Sequence, residues 1–238
     1  VQVLATKPPG AGGNPGADEA IMPRLKPWGI AMKTMSVILF AVLVAATSVH
    51  AAERVERSTL LVAGAKAGFQ EARYGDDGKL AVHFEFNDRG RGPNLDAIYV
   101  LDAHGMPTSI ELKGVDYLKA PVAETYTRNG DALSWKNASE DDKRTLAGSS
   151  FFLGLNQVPE DSILLARAAL AAPEHKLALV PAGVASIHKL ATVQVQGKDA
   201  SRSVDLYALN GLNLLPDFVW LDQDQRFFAS YSGWSTLI

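Results

Sequence analysis

The sequence predicts a mainly β fold of the α+β class: a strongly curved antiparallel sheet, or open half-barrel of hairpins, with one or two helices packed on a face. Three observations predict it. Apolar residues alternate with a period of two along much of residues 52–238. Turn signals rich in Gly, Asn and Asp recur between the alternating runs. One segment alone carries clear helical start and stop signals.

The first hairpin brings residues 69–74 against residues 80–86 across Gly75, Asp76, Asp77 and Gly78. Leu80, Val82, Phe84 and Phe86 share one parity, and Ala81, His83 and Glu85 take the other. That is a strand with one oily face. Residues 97–101 meet 108–112 across Asp102, Ala103, His104 and Gly105. Residues 123–128 meet 132–136 across Asn129 and Gly130, a strong two-residue turn signal. Residues 218–221 meet 226–231 across Asp222, Gln223, Asp224 and Gln225. The helix begins at Pro159, Glu160, Asp161 and Ser162, where proline and acids suit a first turn. Ile163, Leu164, Ala166, Arg167 and Leu170 carry it forward, and Pro173 stops it. Residues 185–190 read as a second helix or as a strand.

Ahead of this domain, residues 37–46 form an apolar run flanked by Lys33 and by Val49, His50 and Ala51. That is the layout of a secretory signal peptide over residues 32–51, with a small-x-small cleavage site. The run is short of the roughly 20 apolar residues that a transmembrane helix needs. Residues 1–31 are rich in Pro, Gly and Ala without apolar period, so the expectation there is a disordered leader or an over-long gene start before Met32 or Met35. The expected address is periplasmic or secreted, with no stable membrane insertion once the signal is removed.

Composition narrows the function classes. Net charge is −3 with both signs mixed, and no basic stripe marks a nucleic-acid binder. The chain has no cysteine, which excludes disulfides, thiolate metal sites, cysteine nucleophiles and a lipid-modified cysteine anchor. His83, His104, His175 and His188 stand apart, with no His-x-His or His-Glu-x-x-His spacing. Ser186 to Lys189 matches Ser-x-x-Lys, but the companion elements of that chemistry are missing. No Gly-x-Ser-x-Gly elbow occurs. No catalytic or metal-ligating residue is therefore assigned, and no cofactor.

The run Asn87, Asp88, Arg89, Gly90, Arg91, Gly92, Pro93 stands out most. Its two guanidinium groups fit either an anion or domain contact, or a clasp onto Asp88 within the loop. Its glycines imply a backbone path closed to ordinary residues. Near the C-terminus, Phe227, Phe228, Tyr231 and Trp234 make a candidate apolar docking surface. Arg89, Arg91 and these four aromatics are the candidate ligand or docking residues.

The run 87–93, together with residues 99–109, 115–122, 164–173, 181–183, 219–222 and 227–234, resembles the N-terminal region of certain exported bacterial amidohydrolases. In that family a metal-dependent (β/α)₈ barrel follows, whose histidines, lysine and aspartate hold one or two divalent ions, usually zinc. The resemblance implies a non-catalytic β domain of a hydrolase acting on C–N bonds, with zinc and the barrel as a partner lying outside this chain. The alternative reading, of another class, is a periplasmic carrier or binding module whose curved sheet holds a lipid or other apolar ligand.

Overall fold

Alternation along the chain becomes a single sheet wrapped around one helix. The computed structural model describes residues 53–198 and 200–238. The expected leader and signal peptide, residues 1–51, lie outside the described residues. The first meander contains β1 (Arg54–Val62), β2 (Ala65–Tyr74), β3 (Lys79–Phe86) and β4 (Asn94–Leu101). It continues through β5 (Pro107–Val115), β6 (Pro121–Asn129), β7 (Ala132–Lys136) and β8 (Asp141–Thr145). A short strand, β9 (Ser150–Phe152), leads into the helix α1 (Pro159–Ala171) and a 3₁₀ turn at Pro173–His175. The second meander is β10 (Lys176–Val180), β11 (Val184–Gln196), β12 (Ser201–Asn210), β13 (Asp217–Asp222), β14 (Phe227–Ser232) and β15 (Ser235–Leu237).

The strands form one 15-stranded sheet in the order β8-β7-β6-β5-β4-β3-β2-β1-β15-β14-β13-β12-β11-β10-β9. Every neighbouring pair is antiparallel except β9 and β10, which α1 connects as a parallel crossover. The two meanders join where β1 pairs β15, with Leu60 opposite Leu237. The free edges are β8 and β9, which residues 146–149 link directly. The sheet thus curls back on itself as an open, barrel-like wrap. Register shifts at Leu60/Leu61, Val100/Leu101, Lys189/Ala191 and Trp220/Leu221 provide bends.

The inward parity fills the wrap. Leu80, Val82 and Phe84 of β3 are buried, as are Leu95, Ala97 and Tyr99 of β4. The helix is buried on most of its surface, through Ile163, Leu164, Leu165, Ala166, Ala168 and Ala169. A helix apolar nearly all round belongs in an interior, and its alanines let strands approach closely. Residues 185–190, open between helix and strand in the sequence, lie in β11 and pair with β12. Among the described residues no helix is long and apolar enough to cross a membrane.

Side chains hold the two edges together without a backbone ladder. Tyr126 of β6 stacks on Phe152 of β9 with ring centroids 4.4 Å apart. Trp135 of β7 meets the same ring at 6.0 Å. Arg128 donates to Ser150 Oγ at 2.7 Å and to the Gly148 carbonyl at 2.6 Å. All five residues of β8 are exposed, and four carry charge: Asp141, Asp142, Lys143 and Arg144.

Candidate functional site

The main candidate is a cavity of about 410 Å³ at the N-terminal end of α1. Its floor is apolar, built from Leu60, Phe84, Leu179, Val219 and Leu237, with Val158 at the helix start. These are inward positions of β1, β3, β10, β13 and β15, so the curvature of the sheet gathers residues distant in sequence. The other wall is polar. Ser230, Ser232 and Ser235 come from the β14–β15 hairpin, Asn213 from the β12–β13 loop, and Asp217 from the start of β13. Gly211 shapes that loop. Its φ is +98°, and a Cβ there would lie 2.2 Å from the Val184 carbonyl oxygen. Only glycine fits such a path.

The loops around this cavity expose apolar side chains. Leu214 is fully exposed and Leu215 is 73% exposed, between the lining residues Asn213 and Asp217. Trp234 is 57% exposed, between lining Ser232 and Ser235. Leu155 stands in the same relation to Leu153 and Gln157. A second cavity, of about 460 Å³, lies at the other end of α1. Its ionic groups are already engaged: Lys176 with Glu174 at 3.3 Å, and Asp102 with the amides of His104 and Met106.

Beside the first cavity lies a buried polar network. Glu160 accepts a hydrogen bond from Gln70 Nε2 at 2.9 Å and another from the Tyr74 hydroxyl. Its own amide donates to Gln70 Oε1 at 2.9 Å, and Arg167 approaches its carboxylate at 3.7 Å. Asp161 accepts from the Val158 amide and from the Tyr99 hydroxyl, each at 2.9 Å. The Val158 bond caps the first turn of α1. Burial raises the pKa of Glu160 despite the opposing pull of Tyr74 and Arg167. Burial pushes Asp161 up to about 7 against its two hydrogen bonds. Sequence reading placed these acids at a helix start but gave no sign of their burial. Glu124 is also buried, and it accepts from the amides of Leu155 and Asn156 and from Asn156 Nδ2.

The Asp161 shift has a sign that can be measured. Folded Asp161 keeps a proton that the unfolded chain releases as pH rises from about 4 to 7. Its contribution therefore makes stability fall with rising pH across that window, by up to about 1.4 kcal/mol per pH unit. Asp161→Asn removes this dependence while keeping one oxygen for the cap. Urea unfolding at pH 4, 5, 6 and 7 should show the variant gaining on the wild type as pH rises. Parallel curves would contradict the assignment.

The other candidate residues fall in two places. Arg89 donates to Asp88 at 3.0 Å, and Arg91 lies 3.8 Å from the same carboxylate and over the Tyr117 ring. Tyr117 donates to Asp88 at 2.8 Å, so both arginines sit within one loop clasp between β3 and β4. Gly92 has a φ of +120°, with the Phe86 carbonyl oxygen 2.2 Å from where a Cβ would stand. Tyr231 lines the first cavity. Trp234 lies in the adjoining turn, edge-on to Phe86 at 6.1 Å. Phe227 packs on the core, and Phe228 is half-buried on the opposite parity of β14. The structure does not bring the arginines and the four aromatics together as one lining. Among the described residues no group of three His, Asp or Glu side chains is placed to hold a metal ion.

No family model and no curated protein matches the chain. Among solved structures it is similar to the crystal structure of a β-barrel-like protein of a domain of unknown function, DUF1849, from Brucella abortus. The likeness covers 78% of this chain and 93% of that one, at 10% identity and a TM-score of 0.48. It concerns architecture alone. The fold is mostly β, an open curved sheet with one helix. The resemblance to the N-terminal region of amidohydrolases, and the hydrolase assignment drawn from it, are corrected here: no family model and no curated protein supports them, and the structure reported above is described as a β-barrel-like protein and not as an amidohydrolase region. The phrases behind that resemblance have roles inside this sheet. Residues 87–93 make the β3–β4 turn, and residues 164–173 are mostly the central helix. They report how strands and helix pack.

Proposed function

We propose that this domain is a binding module for a small apolar or amphipathic ligand, held in the cavity at the N-terminal end of α1. The observation that carries the reading is a 410 Å³ cavity with a leucine and phenylalanine floor inside a curved sheet. Ligand pockets usually fall between about 300 and 1,000 Å³ and combine apolar walls with a few polar groups. Leu214, Leu215 and Trp234 are exposed on the loops that carry the lining residues Asn213, Asp217, Ser232 and Ser235. The signal-peptide pattern over residues 32–51 supports action in the periplasm or outside the cell.

The test uses N-phenyl-1-naphthylamine, whose fluorescence rises in apolar surroundings. Titration into the full chain should give saturable binding with one site. Ser162 lies on α1 at the cavity wall and is not fully buried, so Ser162→Phe adds bulk where there is space. The variant should keep the wild-type melting curve and bind the probe at least tenfold more weakly. No saturable binding by the wild type, or equal binding by the folded variant, would sink the reading.

A further inference from the structure

Asp217 is the feature of the cavity that packing does not explain. It opens β13, where Asp217, Val219 and Leu221 share the inward parity and are all buried. Its side chain therefore faces the interior and lines the cavity beside Val219. Only 8% of the residue is exposed. Its one short hydrogen bond comes from Ser232 Oγ, at 2.8 Å. The Asn213 amide nitrogen stands 3.4 and 3.5 Å from its two oxygens, at the outer limit of a hydrogen bond. Among the described residues no Lys, Arg or His lies within 4.0 Å of it.

The other buried acids make the contrast. Glu124 accepts three hydrogen bonds from amide nitrogens. Glu160 accepts two and has Arg167 beside it. Asp161 accepts a backbone amide and a tyrosine hydroxyl. A carboxylate taken out of water without a counter-charge is costly. Of the four buried acids among the described residues, Asp217 lines this cavity and has an oxygen with no short partner. That oxygen keeps unused acceptor capacity.

We propose that the cavity takes amphiphiles whose polar end is a cation, such as an alkylamine, with Asp217 as the counter-charge. This rests on the binding reading above and adds the chemistry of the ligand's head. The apolar tail lies along Leu60, Phe84, Val219 and Leu237, and the ammonium group meets Asp217. The hydroxyls of Ser230 and Ser235 supply further acceptors beside it. The same carboxylate repels an anionic head, so fatty acids are discriminated against.

Decylamine, decanol and decanoate differ in head charge and share a tail. Each is titrated into the full chain at pH 7 by calorimetry, below micelle-forming concentration, and as a competitor of N-phenyl-1-naphthylamine. Decylamine should bind at least tenfold more tightly than decanol, and decanoate more weakly than either. Asp217→Asn should abolish the advantage of the amine and leave decanol unchanged. Asp217→Glu should retain the preference, which guards against a variant that fails by misfolding. Equal affinity for decylamine and decanol overturns the charge assignment while leaving the cavity reading standing. Absence of binding by all three ligands and by the probe overturns both.

Discussion

Replacing Glu160 by alanine should destabilise the domain by about 3–5 kcal/mol, the range for breaking a buried charge pair from one side. Glu160 is 1% exposed and joins α1 to β2. It binds Gln70 and Tyr74 of β2, sits in the first turn of α1, and faces Arg167 two turns further along the helix. Alanine leaves the Gln70 amide and the Tyr74 hydroxyl without their acceptor. It also leaves the Arg167 guanidinium without its neighbouring carboxylate, although Nη2 of that group already lacks a partner. Each loss is a desolvation penalty with no compensation. At this domain size the melting temperature should fall by roughly 10 °C. Glu160→Gln keeps an acceptor oxygen for β2 and should lose clearly less. Urea unfolding of both variants checks the ranking, and an alanine variant within 1 kcal/mol of wild type would mean that water replaces the carboxylate.

The next largest effect is expected at Trp135, where alanine should cost about 3–5 kcal/mol, as large aromatic truncations in cores do. Trp135 is 2% exposed, packs against Phe152, and donates from Nε1 to Glu140 at 2.8 Å. Arg144 covers its other side, with the guanidinium carbon 5.2 Å from the ring centre. Because β8 and β9 are the two ends of the sheet order, this ring and Tyr126 do at the seam what hydrogen bonds do elsewhere. The loss should therefore be local as well as global. Amide exchange at residues 150–152 should accelerate more than at residues 80–84 of β3 in the middle of the first meander. Uniform acceleration across both strands would show that Trp135 is ordinary core.

Much of this architecture was legible in the sequence, for a physical reason. Hairpins such as β2–β3, β4–β5, β6–β7 and β13–β14 join neighbours across short turns, so alternation and turn residues announce them together. The helix was legible from Pro159 to Pro173 because its start and stop residues act locally. Pairings between distant segments were not. Nothing near Leu60 signals Leu237, and nothing near Phe151 signals Leu179. Strand β8 has no apolar alternation because neither face is buried. Strand β9 is three residues long and wholly buried, which leaves no period to read. Residues 185–190 stayed ambiguous because the register shift between Lys189 and Ala191 breaks the alternation there. At the candidate site, Asp217 in phase with Val219 and Leu221 was a readable signal: an acid on the oily parity of a strand. The burial of Glu160 and Asp161 was not readable, since first-turn acids suit an exposed helix equally well.

The charged strand β8 bears on how such a sheet survives in crowded surroundings. A fifteen-stranded sheet that does not close offers a template onto which another molecule can add strand by strand, the route to fibrous polymer. Here β8 carries Asp141, Asp142, Lys143 and Arg144 in succession, all of them exposed to water. An incoming strand would have to strip water from that row before gaining a single ladder bond. Self-templating is thereby blocked by hydration, which leaves the domain free to remain an unsealed ring.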